Sequence, residues 1–208
     1  MERTIDFYFD FISPFSYFAF HRVPALASRH GYRVAWHVID LAETKRLAGN
    51  TGPTSREQPL KRRYNQHDKD RWAARYGIPI VNPTTYGPDR LNKGKYFADD
   101  RGATEAYLAC AWRKVWGEGG DMAGDAILRD AARQCGWNEE TFLAFTQSPE
   151  ADERYRQGTR AAHERGVFGV PTMMVGDAMW WGNDRLDFLA EFLEEQTTAA
   201  IRKVRSVR

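Results

Sequence analysis

The sequence predicts an α/β protein in which a large helical block interrupts a small sheet. Two apolar stretches near the start, residues 6–12 and 33–41, have the composition of strands buried on both faces, and a helical pattern lies between them. Residues 45–166 show helical patterns without a clear strand. Sheet character returns only in the last part of the chain, so the sheet is expected to combine segments from both ends.

The first strand runs directly into a helix at Ser13-Pro14. Serine is a favoured N-cap, because its hydroxyl accepts a hydrogen bond from an unpaired backbone N–H of the first helical turn. Proline suits the next position, since it has no N–H to leave unpaired. The sequence therefore predicts a serine at the positive end of a helix, where an anion, or a group that becomes one, is stabilised.

The remaining elements follow from periodicity and turn residues. Gly176-Asp177 is a plausible hairpin turn between two short strands, residues 172–175 and 178–181. An amphipathic helix over 184–196 closes the chain. These assignments predict a sheet domain of residues 1–44 plus 167–208 and a helical insertion domain of residues 45–166. The helices expected within the insertion span about 60–76, 104–116, 121–135, 139–146 and 148–166.

Composition limits the classes of function. Thirty basic and twenty-eight acidic residues give a formal charge of +2, which argues against nucleic acid as the main partner. The sequence shows neither a charged leader with an apolar core nor a long apolar run, so a soluble, cytoplasmic protein without membrane contact is expected. Cys110 and Cys135 lie far apart in alanine-rich helical patterns and are interpreted as core residues rather than a redox pair.

Two further patches accompany Ser13. Val170-Pro171 precedes a strand, where the proline by itself indicates only a turn, and the sequence does not establish whether the bond is cis. Asn183-Asp184 follows a strand and begins a helix, with Asn183 as the expected N-cap and Asp184 in the first turn. Such a helix end can accept a carboxylate on its N–H groups while Asp184 pairs with an ammonium group. Together the two features suit a ligand with an amino-acid head group.

These patches carry a family resemblance. Ser13-Pro14-Phe15-Ser16 lies where thioredoxin-fold oxidoreductases carry Cys-X-X-Cys, and with Gly182-Asn183-Asp184-Arg185 it resembles the kappa-class glutathione transferase and 2-hydroxychromene-2-carboxylate isomerase family. This family is a branch of the DsbA-like thioredoxin superfamily. The resemblance implies a thioredoxin-like fold with a large all-helical insertion (DsbA-like), glutathione as the cofactor, and a homodimer. Residues 68–73 and 76–79 look like the isomerase branch.

The resemblance also implies roles for individual residues. Ser13 corresponds to the catalytic serine that hydrogen-bonds the glutathione sulfur, and Val170, beside a cis Pro171, corresponds to the residue that pairs with the cysteinyl backbone. Asn183 and Asp184 correspond to the residues that hold the γ-glutamyl end. No metal is implied. Two less secure glutathione contacts are implied in the region after the second strand, at Asn50 and Lys61.

Free energies favour a donor role for Ser13. Making a thiol mostly ionised at neutral pH requires a pKa lower by about two units, or about 2.7 kcal/mol. A helix N-terminus supplies about 0.3 to 1 kcal/mol. A hydroxyl that donates to the thiolate adds about 1.5 to 3 kcal/mol, so the two together suffice. Ser13 is therefore predicted to donate to sulfur rather than act as a nucleophile. No histidine has an obvious position as its base, and His37 is interpreted as a structural residue of the second strand.

The function predicted from the resemblance is isomerisation of 2-hydroxychromene-2-carboxylate to trans-o-hydroxybenzylidenepyruvate in the breakdown of naphthalene-type aromatics. In the mechanism that the family implies, the glutathione thiolate adds reversibly to a conjugated carbon, which permits ring opening and rotation. The substrate is a small aromatic carboxylate, with Asn50, Lys61 and the aromatic residues around Trp72 and Tyr86 as candidate contacts. Two alternatives stay open: a kappa-like glutathione transferase or peroxidase of broader scope, and a non-catalytic glutathione-binding module.

Overall fold

The computed structural model describes residues 3–205, with side chains described from residue 3 to residue 198. Within this range one sheet contains four strands in the order β2-β1-β3-β4. β1 is parallel to β2 and antiparallel to β3, and β3 forms a hairpin with β4. Both ends of the chain thus contribute to the sheet, as predicted. The strands are β1 (Thr4–Phe9), β2 (Arg33–Val38), β3 (Thr172–Val175) and β4 (Ala178–Trp181).

Helices surround the sheet and fill the segment between its two pairs of strands. Helix α1 (Pro14–Arg29) connects β1 to β2, and a 3-10 turn at Asn183–Arg185 leads from β4 into the closing helix. Residues 39–171, all of them described, contain no strand beyond a single bridge between Thr85 and Asp121. The other helices are α2 (Leu41–Leu47), α3 (Pro59–Tyr76), α4 (Asp89–Asp99), α5 (Thr104–Trp112) with a π-helical extension (Arg113–Gly117), α6 (Ala126–Cys135), α7 (Glu139–Thr146), α8 (Pro149–Glu164) and α9 (Leu186–Arg205).

The sheet separates two apolar clusters because side chains alternate along β1. Ile5, Phe7 and Phe9 point to one face and are fully buried in the main cluster, together with residues of α1 and α9. The neighbouring position Tyr8 points to the opposite face, which α8 covers. Both faces of the sheet are therefore covered, as the apolar composition of its strands predicts. The smaller cluster consists of Tyr8, Ile39, Ala162, Val167 and Met174.

The helical block is packed directly on the sheet. The rings of Phe11 and Trp112 lie 4.4 Å apart, and those of Phe9 and Trp112 lie 5.8 Å apart. One apolar cluster runs from the strands through these rings to Tyr107 and Phe142 of the block. The block thus shares a core with the sheet, and the division at residues 44/45 and 166/167 stays a prediction.

Helices α2 and α4 were not predicted from the sequence. Asp40 is the N-cap of helix α2, and its Oδ1 accepts from the Glu43 N–H at 3.0 Å, so the Asp-X-X-Glu spacing was an available signal. Helix α4 gives no clear apolar stripe, because Asn92, Gly94 and Lys95 lie on its buried side. Polar and small residues at buried positions hide such a helix from a search for hydrophobic periodicity.

Neither a membrane span nor a disulfide is found in the part of the chain that the structure describes. No helix there is both long and apolar enough to cross a bilayer. Cys110 is buried in the main cluster and Cys135 is half-buried, and both are free thiols. Burial raises the pKa of each thiol. Both cysteines therefore have the environment of core residues, in line with their interpretation from the sequence.

Candidate active site

Ser13 is the N-cap of α1. Its backbone is extended, with φ −98° and ψ 112°, and its Oγ accepts a hydrogen bond from the Ser16 N–H at 3.2 Å. Pro14 occupies the first helical turn, as predicted. Capping uses a lone pair of Oγ and leaves the hydroxyl hydrogen available to an acceptor. Since Ser13 is only 6% exposed, a donated hydrogen bond would be largely shielded from water.

The turn that presents Ser13 is anchored by a buried carboxylate. The Ser13 N–H donates to the Asp10 carbonyl at 3.0 Å, which closes the turn. The Asp10 carboxylate accepts from the backbone N–H groups of Ile12 and Leu41, each at 3.0 Å. Leu41 is the first residue of α2, so Asp10 joins the Ser13 turn to that helix. Sequence reasoning missed this residue, although a carboxylate at the end of an apolar strand was a visible signal.

Two residues of the helical block hold the same turn. Asn92 of α4 accepts from the Phe11 N–H at 3.2 Å and donates to Asp10 Oδ1 at 2.9 Å and to the Tyr155 hydroxyl at 2.7 Å. The indole N–H of Trp116 donates to the Phe11 carbonyl at 2.8 Å. Asn92 and Trp116 lie 81 and 105 positions from Phe11 in the sequence. The position of Ser13 therefore depends on residues far away in the chain.

Replacing Asp10 with asparagine (Asp10→Asn) should flatten the pH dependence of stability. Burial raises the pKa of Asp10 from 3.8 to about 6, so the Asp10 carboxyl group binds its proton more tightly in the folded protein than in the unfolded chain. Stability from this group is therefore greatest below about pH 4 and declines as the pH rises to about 6, by about 3 kcal/mol. Urea unfolding of both proteins between pH 4 and pH 7.5 measures the difference. An equal dependence of the free energy of unfolding on pH in the two proteins would contradict the raised pKa of Asp10.

The second patch lies beside Ser13 at the same end of the sheet. The Val170–Pro171 bond is cis, and the Pro171 carbonyl accepts from the Gly182 N–H at 2.8 Å. β3 starts at Thr172, which pairs with Tyr8 near the end of β1. The residues just before β3 and just after β1 therefore lie at the same end of the sheet. The backbone N–H and C=O of Val170 form no hydrogen bond with any residue from 3 to 205. An extended peptide could pair with them in strand fashion.

The third patch adjoins the second, because Trp181 at the end of β4 pairs with Thr172. Asn183 is not the N-cap, contrary to the prediction. Gly182 holds that position with a φ of 107°, and a Cβ there would collide with the carboxylate of Asp184. Asn183 instead lies in the 3-10 turn and is 3% exposed. Asp184 Oδ2 pairs with Arg185 at 2.7 Å.

The Asn183 side chain carries an unpaired polar atom. Its Nδ2 is buried and has no hydrogen-bond partner among the residues that the structure describes. The Tyr76 hydroxyl lies near this amide, and their interaction offsets part of the rise in the Tyr76 pKa that burial causes. A buried N–H group without an acceptor is unfavourable, so an acceptor on a ligand would stabilise it.

Asn50 and Lys61 are separate from these patches. Asn50 is exposed in the turn after α2, where its backbone N–H donates to the Lys45 carbonyl at 2.9 Å. Lys61 is exposed in the first turn of α3. Within the described part of the chain, neither side chain forms a hydrogen bond or an ion pair. The strand register thus places Ser13 and residues 170, 171, 183 and 184 at the same end of the sheet, whereas no contact joins Asn50 or Lys61 to any of them.

A basic groove opens along α3. It has a volume of about 660 Å³, and no acidic residue is among the described residues that line it. The Arg56 guanidinium lies 3.6 Å from the centroid of the Tyr86 ring, and the Tyr86 ring lies 6.4 Å from the Trp116 ring. Trp116 connects the groove to the Ser13 turn. The lining residues are Arg56, Pro59, Leu60, Arg62, Arg63, Gln66, His67, Asn82 and Tyr86.

Two other residues singled out in the sequence lie outside the groove. Trp72 packs against the main cluster, with its ring 5.1 Å from that of Tyr76. His37 Nε2 lies 2.7 Å from Asp6 Oδ1, and its ring stacks on Tyr8 at 4.7 Å, on the α8 side of the sheet. His37 is thus bonded within the scaffold, in keeping with its interpretation as a structural residue.

Comparison with known proteins identifies the family. The DsbA-like thioredoxin domain model matches residues 4–194. The 2-hydroxychromene-2-carboxylate isomerase of Pseudomonas sp. (strain C18) is 44% identical over 185 residues, which cover 89% of this chain and 87% of that protein. The isomerase of the same name from Sphingobium xenophagum is 41% identical over 193 residues, covering 93% and 99%.

A solved structure gives the same result in three dimensions. The structure of a selenomethionine 2-hydroxychromene-2-carboxylate isomerase superposes with a TM-score of 0.88 at 41% sequence identity and covers 99% of both chains. The predicted fold, DsbA-like thioredoxin with a helical insertion, is thereby confirmed. This chain belongs to the DsbA-like thioredoxin domain family and, within it, to the group that contains the 2-hydroxychromene-2-carboxylate isomerases.

Proposed function

We propose that this protein is a glutathione-dependent isomerase that converts 2-hydroxychromene-2-carboxylate to trans-o-hydroxybenzylidenepyruvate. The observation that carries the proposal is the near full-length similarity to proteins named for that isomerase activity. The cluster formed by Ser13, Val170 and Asn183 supports the choice of cofactor. The basic groove beside Tyr86 supports a substrate that carries a carboxylate.

The residues present fit glutathione. The unpaired Val170 peptide suits the backbone of a short extended peptide, and the buried Nδ2 of Asn183 lacks an acceptor that a γ-glutamyl carboxylate would supply. Asp184 is half-exposed beside Arg185, so its carboxylate can still reach an ammonium group. When bound, glutathione would supply a thiolate able to add to a conjugated carbon and to leave again.

Ser13 has two tasks in this proposal. Its hydroxyl accepts from the Ser16 N–H and can at the same time donate to sulfur. The N-terminus of α1 adds a favourable electrostatic contribution to a negative charge at this point. Burial of the serine strengthens both effects, since the effective dielectric constant is lower away from water. Ser13 therefore holds the cofactor sulfur in its ionised form and is not itself the nucleophile.

Calorimetry and an absorbance assay test the proposal. Glutathione is expected to bind, and the chromene carboxylate is expected to isomerise only when enzyme and glutathione are both present. Equal turnover without glutathione would overturn the cofactor assignment. Turnover of 1-chloro-2,4-dinitrobenzene at or above that of the chromene carboxylate would favour a broad transferase instead. Binding of glutathione without any turnover would indicate a non-catalytic module.

Assembly and location belong to the same proposal. A homodimer is suggested by the family resemblance, and a cytoplasmic location by the composition of the sequence. Light scattering on the purified protein tests the first. A mass equal to one chain of 23.9 kDa would contradict the dimer.

A further inference from the structure

Lys69 is a buried cation for which the described part of the chain provides no ion-pair partner. It lies in α3, is 4% exposed, and its Nζ donates to Gln66 Oε1 at 2.9 Å and to Asn82 Oδ1. No carboxylate within the described residues forms an ion pair with it, although Asp70 is close enough to favour its charged form. Burial lowers the pKa of Lys69. Two of its three N–H donors are thus used, and both acceptors are neutral.

Such an arrangement is unfavourable unless something compensates the charge. Removing an ammonium from water costs several kcal/mol, and neutral oxygens recover only part of that cost. The basic groove does not supply the missing negative charge, because no aspartate or glutamate is among the described residues that line it. The Asp70 carboxylate accepts from Gln66 Nε2 at 2.9 Å and is itself exposed. An anionic ligand in the groove would provide compensation that the described residues do not supply as an ion pair.

The surroundings of Lys69 connect the groove to the site at Ser13. Gln66 and Asn82, which hold its Nζ, both line the groove. Asn82 Nδ2 also donates to Gln66 Oε1 at 3.1 Å, so the two amides are fixed relative to each other. On its other side, Nζ lies 5.7 Å from the centroid of the Trp116 ring, and Trp116 anchors the Ser13 turn. The ammonium thus lies between groove and turn.

We propose that Lys69 determines substrate specificity by neutralising the carboxylate of an aromatic substrate bound in the groove, from its position behind the lining residues Gln66 and Asn82. The inference rests on the proposed function for the identity of the substrate. It does not rest on it for the chemistry, since any aromatic carboxylate of suitable size would be recognised in the same way. Gln66 and Asn82 line the groove and are positioning residues, which orient the ammonium behind the groove wall.

Replacing Lys69 with methionine (Lys69→Met) tests the proposal, because it keeps the length of the side chain and removes its charge. The Kd of 2-naphthoate, measured by calorimetry, is expected to rise tenfold or more. The Kd of the neutral 2-naphthamide is expected to change less than twofold. Isomerase assays should show a higher KM for the chromene carboxylate, with glutathione affinity unchanged. Arg71→Met removes one charge from the exposed side of the same helix and should leave all these values unchanged.

A second variant covers the case in which Lys69→Met does not fold. Asn82 is exposed, and aspartate has nearly the same shape as asparagine, so Asn82→Asp should fold. It places a carboxylate against the retained Lys69 and should weaken 2-naphthoate binding to a similar extent. Carboxylate affinity within twofold of wild type in either folded variant would overturn the inference. If the wild type binds 2-naphthoate through Lys69 but does not isomerise the chromene carboxylate, the proposed function fails and this inference stands. If Lys69→Met isomerises the chromene carboxylate with an unchanged KM, this inference fails and the proposed function stands.

Discussion

Replacing Ser13 with alanine (Ser13→Ala) is expected to lower the isomerase rate at neutral pH about tenfold or more, which corresponds to at least about 1.4 kcal/mol in the activation barrier. The physical reason is the loss of the only side-chain donor expected at the sulfur, since the helix N-terminus alone contributes about 0.3 to 1 kcal/mol. The pKa of the bound thiol should rise by one unit or more. Thiolate absorbance of bound glutathione, titrated in both proteins, measures it directly.

Ser148 provides the matched control. It begins α8 with the same Ser-Pro pair, and its Oγ accepts from the Ala151 N–H at 3.2 Å, the distance found at Ser13. Alanine at either position removes an N-cap and should cost about 1 kcal/mol of stability. Only the change at Ser13 should affect the thiol. Identical thiolate titrations in wild type and Ser13→Ala would rule out the donor role, even if Ser13→Ala were less stable.

Replacing Gly94 with alanine (Gly94→Ala) is expected to destabilise the protein by about 3 kcal/mol. At a solvent-exposed position of a helix, this change would stabilise the protein by about 1 kcal/mol, because alanine has the higher helix propensity. Gly94 lies on the buried side of α4, where a Cβ would lie 2.8 Å from Tyr107 Cζ and 2.9 Å from Phe142 Cζ. Overpacking costs about 1 to 3 kcal/mol, and loss of the Tyr107–Leu91 hydrogen bond adds about 1 kcal/mol or more. Thermal unfolding should show a Tm lower by about 10 °C.

A double-mutant cycle shows whether the Tyr107 hydroxyl causes this effect. The hydroxyl donates to the Leu91 carbonyl at 2.6 Å and is the atom closest to the Cβ position. In a Tyr107→Phe background that oxygen is absent, so Gly94→Ala should cost at least about 1 kcal/mol less than in wild type. A stabilising effect of Gly94→Ala in the wild-type background would contradict the packing argument.

Local signals in the sequence predicted much of the fold. The strands at 172–175 and 178–181 match β3 and β4 residue for residue, because a Gly-Asp turn fixes the register of a short hairpin. The Ser-Pro helix starts at Ser13 and Ser148 are likewise confirmed, since a cap acts within one turn of backbone. The start of α6 was predicted too early, at 121 instead of Ala126, and the N-cap at 183 was wrong. In both places the chain forms irregular turns that no periodic pattern marks.

The surroundings of the candidate site were much less predictable. Asp10, Asn92 and Trp116 hold the Ser13 turn, yet they come from a strand end, a helix without an apolar stripe and a π-helical segment. Lys69 and the groove above it were also missed, whereas Asn50 and Lys61, suggested by resemblance, show no contact with the cluster. Contacts between residues far apart in the chain depend on how helices pack, and a single sequence carries no direct record of that.

The sequence by itself determined the order of the strands and of most helices, the capped helix end that carries a serine hydroxyl, and the family to which the chain belongs. These properties depend on interactions within a few residues or on motifs that can be compared directly. The tertiary structure decided which side chains surround that hydroxyl and left Lys69 buried with no ion-pair partner among the described residues. Burial and charge balance are properties of packed neighbours, so they exist only once distant segments have come together.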